Sequence, residues 1–578
     1  MKNKFLLINI LTFGCLALPL TSCNQPATVL SKATVELSYN SEICSVEVIN
    51  EKENYSIGDK IGLNITFNEG FELSEVTLNN EEIENLREIA LKAGNNFIKI
   101  YSNIRNNDIG STNIRDFTFE LNSDDTYSII SYYPSGVAPK RLEIPSIYKN
   151  KTVSKIIYKY KEDGSALSSY SFSEIEEIYI PGTIKNISSE VFLYGESIKS
   201  YDVSYENSKY KTINGYLYSK DGRILYSAPR IVEDGITLDS GTKTIAPYAF
   251  YKANHISSFT LNEGLIEIGY RAFYGCNKIT SITIPSTVTT IAENCFETCS
   301  SLQSITLSSS LVSLESNVFN RCTKLKSINI PGSVKEIKPY AFYSCTELRN
   351  VTLNEGLEII GDNSFCYTDI DKIDLPSSVR KVGAHAFAAC INLKEVILNE
   401  GLVEIGEYCF NLSRFIERIN IPSTVNLIGE GAFTACLSIS EFDVHASNQN
   451  FTSIEGVLFS KDVKTLIAYP NLKDTDDYHI PSGTEIIGFR AFNFISASPY
   501  EEVYYCYSLK NLYIPTSVTK IENAIYGGRL ENVYYEGTTE QFQNVETTML
   551  YENQTIEWNT GSMVSIIHCT DGDLVYDL

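Results

Sequence analysis

The chain has 578 residues, with 47 Lys and Arg against 71 Asp and Glu, for a formal net charge of −24. That balance excludes a nucleic-acid binder, which needs basic residues against phosphate, and a protein held on anionic lipid by a basic surface. A 43% apolar content excludes wholesale disorder, five His leave little for a His-rich metal site, and the length alone suggests about four domains.

Lys2 and Lys4 give a short positive start, and residues 5–20, FLLINILTFGCLALPL, form an apolar run without a charge. The run is too short for a comfortable membrane span and fits an export-signal core. It ends in Leu20-Thr21-Ser22-Cys23, which resembles the bacterial lipobox. The resemblance implies a signal peptide over residues 1–22, a Cys23 joined to diacylglycerol as the mature N-terminus, and a lipidated tether over 23–32. Membrane attachment is then through lipid. Elsewhere no run of about 18 apolar residues suggests a transmembrane helix.

Residues 33–122 contain short β-like runs at 43–49, 61–67, 73–78 and 97–101, separated by Gly, Asn and Glu. They predict a small β-sandwich. Tyr55-Ser56-Ile57-Gly58-Asp59 resembles the start of bacterial immunoglobulin-like stalk modules. Residues 81–92, EEIENLREIALK, read as one helix.

From 123 to 545 the chain repeats. Phe250, Phe273, Phe296, Phe319, Phe342, Phe365, Phe387, Phe410 and Phe433 recur at steps of 23, with one step of 22. The shorter step removes a residue from the turn after Phe365, where Thr368 stands in place of the usual Cys. Each unit runs Ala/Cys-Phe, a turn, Leu/Ile-x-x-Ile-x-Ile, a turn, then a hydrophobic residue and Ile-Gly. One unit cannot bury its apolar positions alone, so stacked units must share a continuous core. The turns after the strand alternate between Asn-Glu-Gly (262–264, 354–356, 399–401) and Pro-Ser or Pro-Gly (285, 331, 376, 422), with Ser308-Ser309 between the turns at 285 and 331. They suit the backbone geometry, and no function is assigned to them. Residues 201–229 match 442–470, each a strand, an Asn-rich turn and a hairpin around Ser-Lys-Asp. A cap or tail follows over 546–578.

The pattern AF-x-x-C-x-x-L-x-x-I-x-I-P-x-S-V-x-x-I-G resembles the BspA-type leucine-rich repeat of bacterial and protist surface proteins. The match runs from about 140 to 545. The fold class expected is mainly β: a leucine-rich-repeat solenoid of about 23-residue units preceded by a small Ig-like β-sandwich. The resemblance implies a cell-surface protein for adhesion or protein–protein interaction, whose partner is an extracellular or host protein. A glycan or peptide ligand, or a structural spacer, is the alternative.

Little suggests chemistry. Cys276, Cys299, Cys322, Cys345, Cys390 and Cys436 fall three residues after the repeat Phe and form one column, read as small buried side chains. Rung spacing does not exclude disulfides between them. No C-x-x-C pair, Ser-His-Asp arrangement or phosphate loop occurs, so neither a metal site, a cofactor nor an enzyme is expected. Strand alternation instead points to an outward face. It comprises Ser281, Thr283, Ser304, Thr306, Ser327, Asn329, Asn350, Thr352, Lys372, Asp374, Glu395, Arg418, Asn420, Glu441 and Asp443. The first part is Ser, Thr and Asn; the second is charged. Without aromatic side chains, these columns do not read as a carbohydrate platform.

Overall fold

In Leu-x-x-Ile-x-Ile every second side chain is apolar, which a strand with one buried face requires. Ser281–Thr283, Ser304–Thr306 and Ser327–Ile330 follow this, with exposed Ser, Thr or Asn on either side of a buried Ile. A computed structural model describes residues 112–231, 235–493, 508–522, 530–548 and 566–575, with Ile525–Tyr526 and, before residue 112, mainly the strands named below. The chain is mainly β, a solenoid of about 17 turns of about 23 residues. Among the described residues the regular helix is a 3-10 turn at Ile114–Asp116 and a five-residue α-helix at Thr539–Gln543. The length suggested four domains, but the fold divides into two units, Met1–Thr212 and Ile213–Leu578, because stacked turns share one core.

The first unit begins with two sheets. Lys32–Ser38 runs parallel to Gly94–Ile104, which pairs antiparallel with Phe71–Leu78. Cys44–Ile49 pairs antiparallel with Lys60–Phe67. Ile61, Leu63, Val76, Leu78, Ile89 and Ile98 are buried. The helix expected over 81–92 does not form: Glu81–Glu82 and Ile89–Ala90 are strands, the latter paired with Lys60 and Ile61. Burial of Ile89 by sheet pairing overrides a helical local pattern. Apart from a two-residue strand at Leu6–Leu7, the leader 1–22 and Cys23 lie outside the described residues. This unit also holds a five-stranded sheet built on Phe117–Leu121, Tyr127–Tyr132 and Lys151–Ile156, and three solenoid strands, Arg141–Glu143, Glu177–Ile180 and Ser200–Val203, paired in parallel.

In the second unit each turn has three sides: an outward strand, a second short strand such as Thr290–Ile291, and a side built around Phe. Phe250 to Phe433 stack ring on ring over nine turns, with centroids 5.0–5.9 Å apart and interplanar angles of at most 16°. The hairpins at Tyr216–Ser219/Ile224–Ser227 and Val457–Ser460/Thr465–Ala468 are the inserted elements expected from the sequence. The outward parallel sheet continues past residue 545 into Ile566–Cys569. Gly572–Val575 then turns back antiparallel and ends it.

The Phe side carries an unusual ladder. The N–H groups of Arg271, Phe273 and Gly275 donate to the carbonyls of Glu293, Cys295 and Glu297 in the next turn, at 3.3, 2.9 and 2.9 Å. The carbonyls of Tyr270, Ala272 and Tyr274 accept from Tyr248, Phe250 and Lys252 in the turn before, at 2.9, 2.8 and 2.7 Å. Three peptide groups per turn therefore point the same way along the stack, as they do in a helix. This requires left-handed backbone two residues before and two after each Phe. Residues 248 and 252, 271 and 275, 294 and 298, and so on to 431 and 435, all have φ between 50° and 67°. All eight junctions between the nine turns carry the same three bonds.

The Cys column is a column of donors. Cys276, Cys299, Cys322, Cys345 and Cys436 each direct Sγ to the carbonyl of the Phe one turn earlier, at 3.1 Å, and Cys390 does so at 3.3 Å. Ser413 occupies the same column and donates Oγ to the Phe387 carbonyl at 2.7 Å. Thr368, at the short step, donates to its own Phe365 carbonyl. Ten cysteines between Cys276 and Cys569 are free thiols. Burial raises the Cys276 thiol to about 12 and that of Cys390 to about 11.

The alternating turns are a second hydrogen-bond code. Asn262, Asn354 and Asn399 reach back with Nδ2 to the carbonyls of Thr242, Ile330 and Leu375. The glycines reach forward, Gly264, Gly356 and Gly401 donating to the hydroxyls of Thr287, Ser378 and Thr424 at 2.9–3.0 Å. The Glu355 carboxylate accepts from the N–H of Ser377 and of Ser378, and Glu400 from the N–H and hydroxyl of Ser423. An Asn-Glu-Gly turn thus needs a Pro-Ser-Thr or Pro-Ser-Ser turn after it.

Two outcomes follow. Cys345→Ser retains the donor and leaves stability nearly unchanged, whereas Cys345→Ala costs about 1 kcal/mol in denaturant melts; equal losses would refute the donor role. The backbone N–H groups of Ser377 and Ser423 hold the Glu355 and Glu400 carboxyls below their ordinary range. Their stabilisation is complete above the unfolded carboxyl value of about 4.3 and is lost as pH falls through the lower folded values. Glu355→Gln/Glu400→Gln therefore flattens the acid limb of the melting-temperature profile; an unchanged limb would refute it.

Candidate functional site

The outward strand face is the candidate site, and its geometry comes from the register of the parallel ladder. Ser281 faces Ser304 and Thr283 faces Thr306; Ser327 faces Asn350 and Asn329 faces Thr352. Lys372 lies beside Glu395 and Arg418 beside Glu441, with Asn420 beside Asp443. All are exposed except Glu441, which is half-buried, and Asp374 is exposed on the same strand as Lys372. The Ile, Val or Phe between each outward pair, buried except for the half-buried Val351, fixes the face.

The charged half of this face is internally satisfied. Lys372 Nζ lies 2.8 Å from Glu395 Oε1, and Arg418 Nη2 lies 2.5 Å from Glu441 Oε1. Asn399 donates to Asp374 at 3.2 Å, and Asn354 to Asn329 at 2.8 Å. The hydrogen bond to Glu395 raises the Lys372 ammonium above its usual value. Such exposed pairs contribute little to stability but hold the side chains flat against the sheet. The first unit has its own cluster: Arg141 pairs with Glu177 at 2.7 Å, Asp202 at 3.0 Å and Glu143 at 3.3 Å.

The sequence pattern missed a feature further along the face. In Asp477–His479, Asn511–Ile514, Asn532–Tyr535 and Ile566–Cys569 the position equivalent to Thr283 holds His479, Tyr513, Tyr534 and His568. Their rings stack in order, with centroids 4.0, 4.7 and 5.1 Å apart and interplanar angles of 10°, 11° and 28°. His479 is exposed and the other three are half-buried. His568 Nδ1 lies 2.9 Å from Asp573 Oδ1. The signal was present in Tyr-His-Ile, Leu-Tyr-Ile and Val-Tyr-Tyr, but irregular spacing hid it. The outward columns as read stop at Asp443, and the statement that they hold no aromatic side chain applies to that stretch alone.

Among the described residues no group of three or more His, Cys, Asp or Glu is placed to hold a metal ion, and no helix is long and apolar enough to cross a membrane.

Comparison with known proteins fits this geometry. The model of the BspA type leucine rich repeat region matches in six copies, over residues 146–224, 233–349, 335–466 and 493–557, more than half of the chain. A leucine-rich repeat protein from Bacteroides ovatus is similar at 22% identity, covering 70% of this chain and 94% of that one, with a TM-score of 0.36. A leucine rich cell surface protein from Faecalibacterium prausnitzii is similar at 20% identity, covering 77% and 99%, also with a TM-score of 0.36. A comparison with curated proteins finds no match. A repeat that matches in sequence, stacks its Phe and turns its polar strand positions outward places the chain in the BspA-type leucine-rich repeat family.

Proposed function

We propose that this chain is a lipid-anchored cell-surface protein that binds an extracellular or host protein through the outward strand face of its solenoid. Cys23 carries the lipid, residues 33–122 form an Ig-like spacer, and the repeat supplies the contact surface without catalysis. The observation that carries the reading is the aromatic ladder of His479, Tyr513, Tyr534 and His568, continuing a face whose central charges are already paired. Tyr is enriched at protein interfaces because it offers a large contact area with a polar tip at small entropy cost.

A glycan ligand is the second reading, favoured by the presence of aromatic side chains. Sugar rings stack on aromatic faces, however, and here the faces are covered by their own neighbours, leaving edges outward. Edge presentation suits side chains of a protein partner better.

Two experiments test this. Tyr513→Ala/Tyr534→Ala weakens binding to a cognate extracellular protein by about tenfold or more, the range of an aromatic hot spot. Lys372→Glu/Glu395→Lys, which keeps the pair, changes it little. Strong binding on a glycan array with no protein partner would overturn the reading. Separately, Cys23→Ala releases the chain from the membrane fraction and abolishes incorporation of labelled fatty acid; retention at the membrane would overturn the anchor.

A further inference from the structure

We infer that the C-terminal end of the Phe-side ladder is a binding site for a small carboxylate. The nine turns from Phe250 to Phe433 align three peptide groups each, with carbonyls toward the start of the stack and N–H groups toward its end. Aligned peptide dipoles leave partial negative charge at the carbonyl end and partial positive charge at the N–H end.

The two ends are treated differently. At the carbonyl end the guanidinium of Arg230, only 3% exposed, donates Nη1 to the Ala249 carbonyl at 3.1 Å, beside the Ala228 N–H. A buried cation therefore caps the negative end. At the other end the carbonyls of Glu430, Ala432 and Thr434 are bonded to Tyr408, Phe410 and Leu412. The N–H groups of the same peptides, on Gly431, Phe433 and Ala435, have no partner among the described residues. The hairpin at 451–468 interrupts the stack, and no next Phe turn receives them.

A cavity of about 160 Å³ lies at this interruption, lined by Gly431, Phe433, Thr434, Tyr469, Arg490 and Ala491 among others. A space of this size holds a molecule as large as benzene. Thr434 is 6% exposed, lines the cavity, and its Oγ1 has no hydrogen-bond partner. Arg490 Nε is likewise unpartnered. Position 431 is also the exception in its column. The equivalent residues are Tyr248, Arg271, Asn294, Asn317, Tyr340, Asn363, His385 and Tyr408, all with side chains. At Gly431 a Cβ would lie 2.8 Å from the Tyr408 ring and 2.9 Å from Thr434 Oγ1. Arg490 in turn packs on the same Tyr408 ring, 5.6 Å from its centroid.

Gly431 and Phe433 with their unpartnered N–H groups, the Thr434 hydroxyl and the Arg490 side chain all line one small cavity, and together they make a donor set for a carboxylate. Two acids also line it: Glu430, which is exposed, and Glu522, which pairs with Lys520 at 2.7 Å. Their charge disfavours a dianion such as phosphate and selects a single carboxylate.

The test uses the full chain titrated by calorimetry at constant ionic strength with sodium acetate, tri-alanine, acetamide and sodium phosphate. Acetate or tri-alanine binds saturably, and the tighter of the two tells whether the carboxylate belongs to a free acid or a chain end. Acetamide and phosphate bind at least about tenfold more weakly, because a charged hydrogen bond is lost or the rim acids repel. Arg490→Gln weakens acetate binding by about tenfold, the loss expected when one charge-assisted contact is removed. Gly431→Ala removes binding by covering the N–H. Should Gly431→Ala lose its native circular dichroism, Arg490→Gln alone decides. The inference is overturned if no carboxylate binds, if phosphate binds as tightly, or if Arg490→Gln leaves the affinity unchanged.

Discussion

One constraint organises the solenoid: the Phe side bonds to its neighbour only when the backbone is left-handed two residues before and two after the Phe. For residues with a side chain that conformation costs roughly 1–2 kcal/mol each. It is held because each turn gains three bonds to the next and stacks a fully buried ring on the ring before. The same geometry turns the Phe carbonyl toward the following turn, where a small donor must meet it. The Cys column, with Ser413 as its variant, answers that need. A residue type that suggested redox or metal chemistry is thereby explained as backbone satisfaction.

Much of this was legible in the residues. The spacing of Phe250 through Phe433 gave the turn length, and Leu-x-x-Ile-x-Ile gave which side chains face out. The hairpins were visible as two matching segments. What was not legible depends on neighbours in space. Tyr, Arg and Lys are not left-handed residue types, so nothing at 248, 252, 271 or 408 announces the ladder. The Asn-Glu-Gly and Pro-Ser turns read as backbone geometry alone, yet they are complementary partners whose chemistry exists only across a turn. The strands at Glu81–Glu82 and Ile89–Ala90 read as helix because sheet pairing of Ile89 leaves no local trace.

The outward face shows the same limit in functional terms. Its central residues lie on the outward strand positions, but their charges looked available when read one strand at a time. In register, Lys372 meets Glu395 and Arg418 meets Glu441. The central face is therefore self-neutralised, as is the cluster around Arg141, and under the proposed reading specificity falls to the aromatic ladder. Solenoids characteristically bind through such extended surfaces, where many weak contacts surround a few anchors.

The inserted hairpin at 451–468 has a consequence for how the second unit comes apart. The buried residues form two clusters, one from Tyr218 to Leu458 and another from Val457 to Ile567, which meet at this hairpin. In a one-dimensional array, cooperativity is carried by the interface between neighbouring turns. The Phe-side ladder supplies that coupling at every junction from 250 to 433 and stops there. The segment bearing His479, Tyr513, Tyr534 and His568 thus packs around a core cluster of its own, the kind of division along which an array opens in separate units. Under pulling force, such a segment would yield as its own mechanical step, extending the molecule without dissolving its main core.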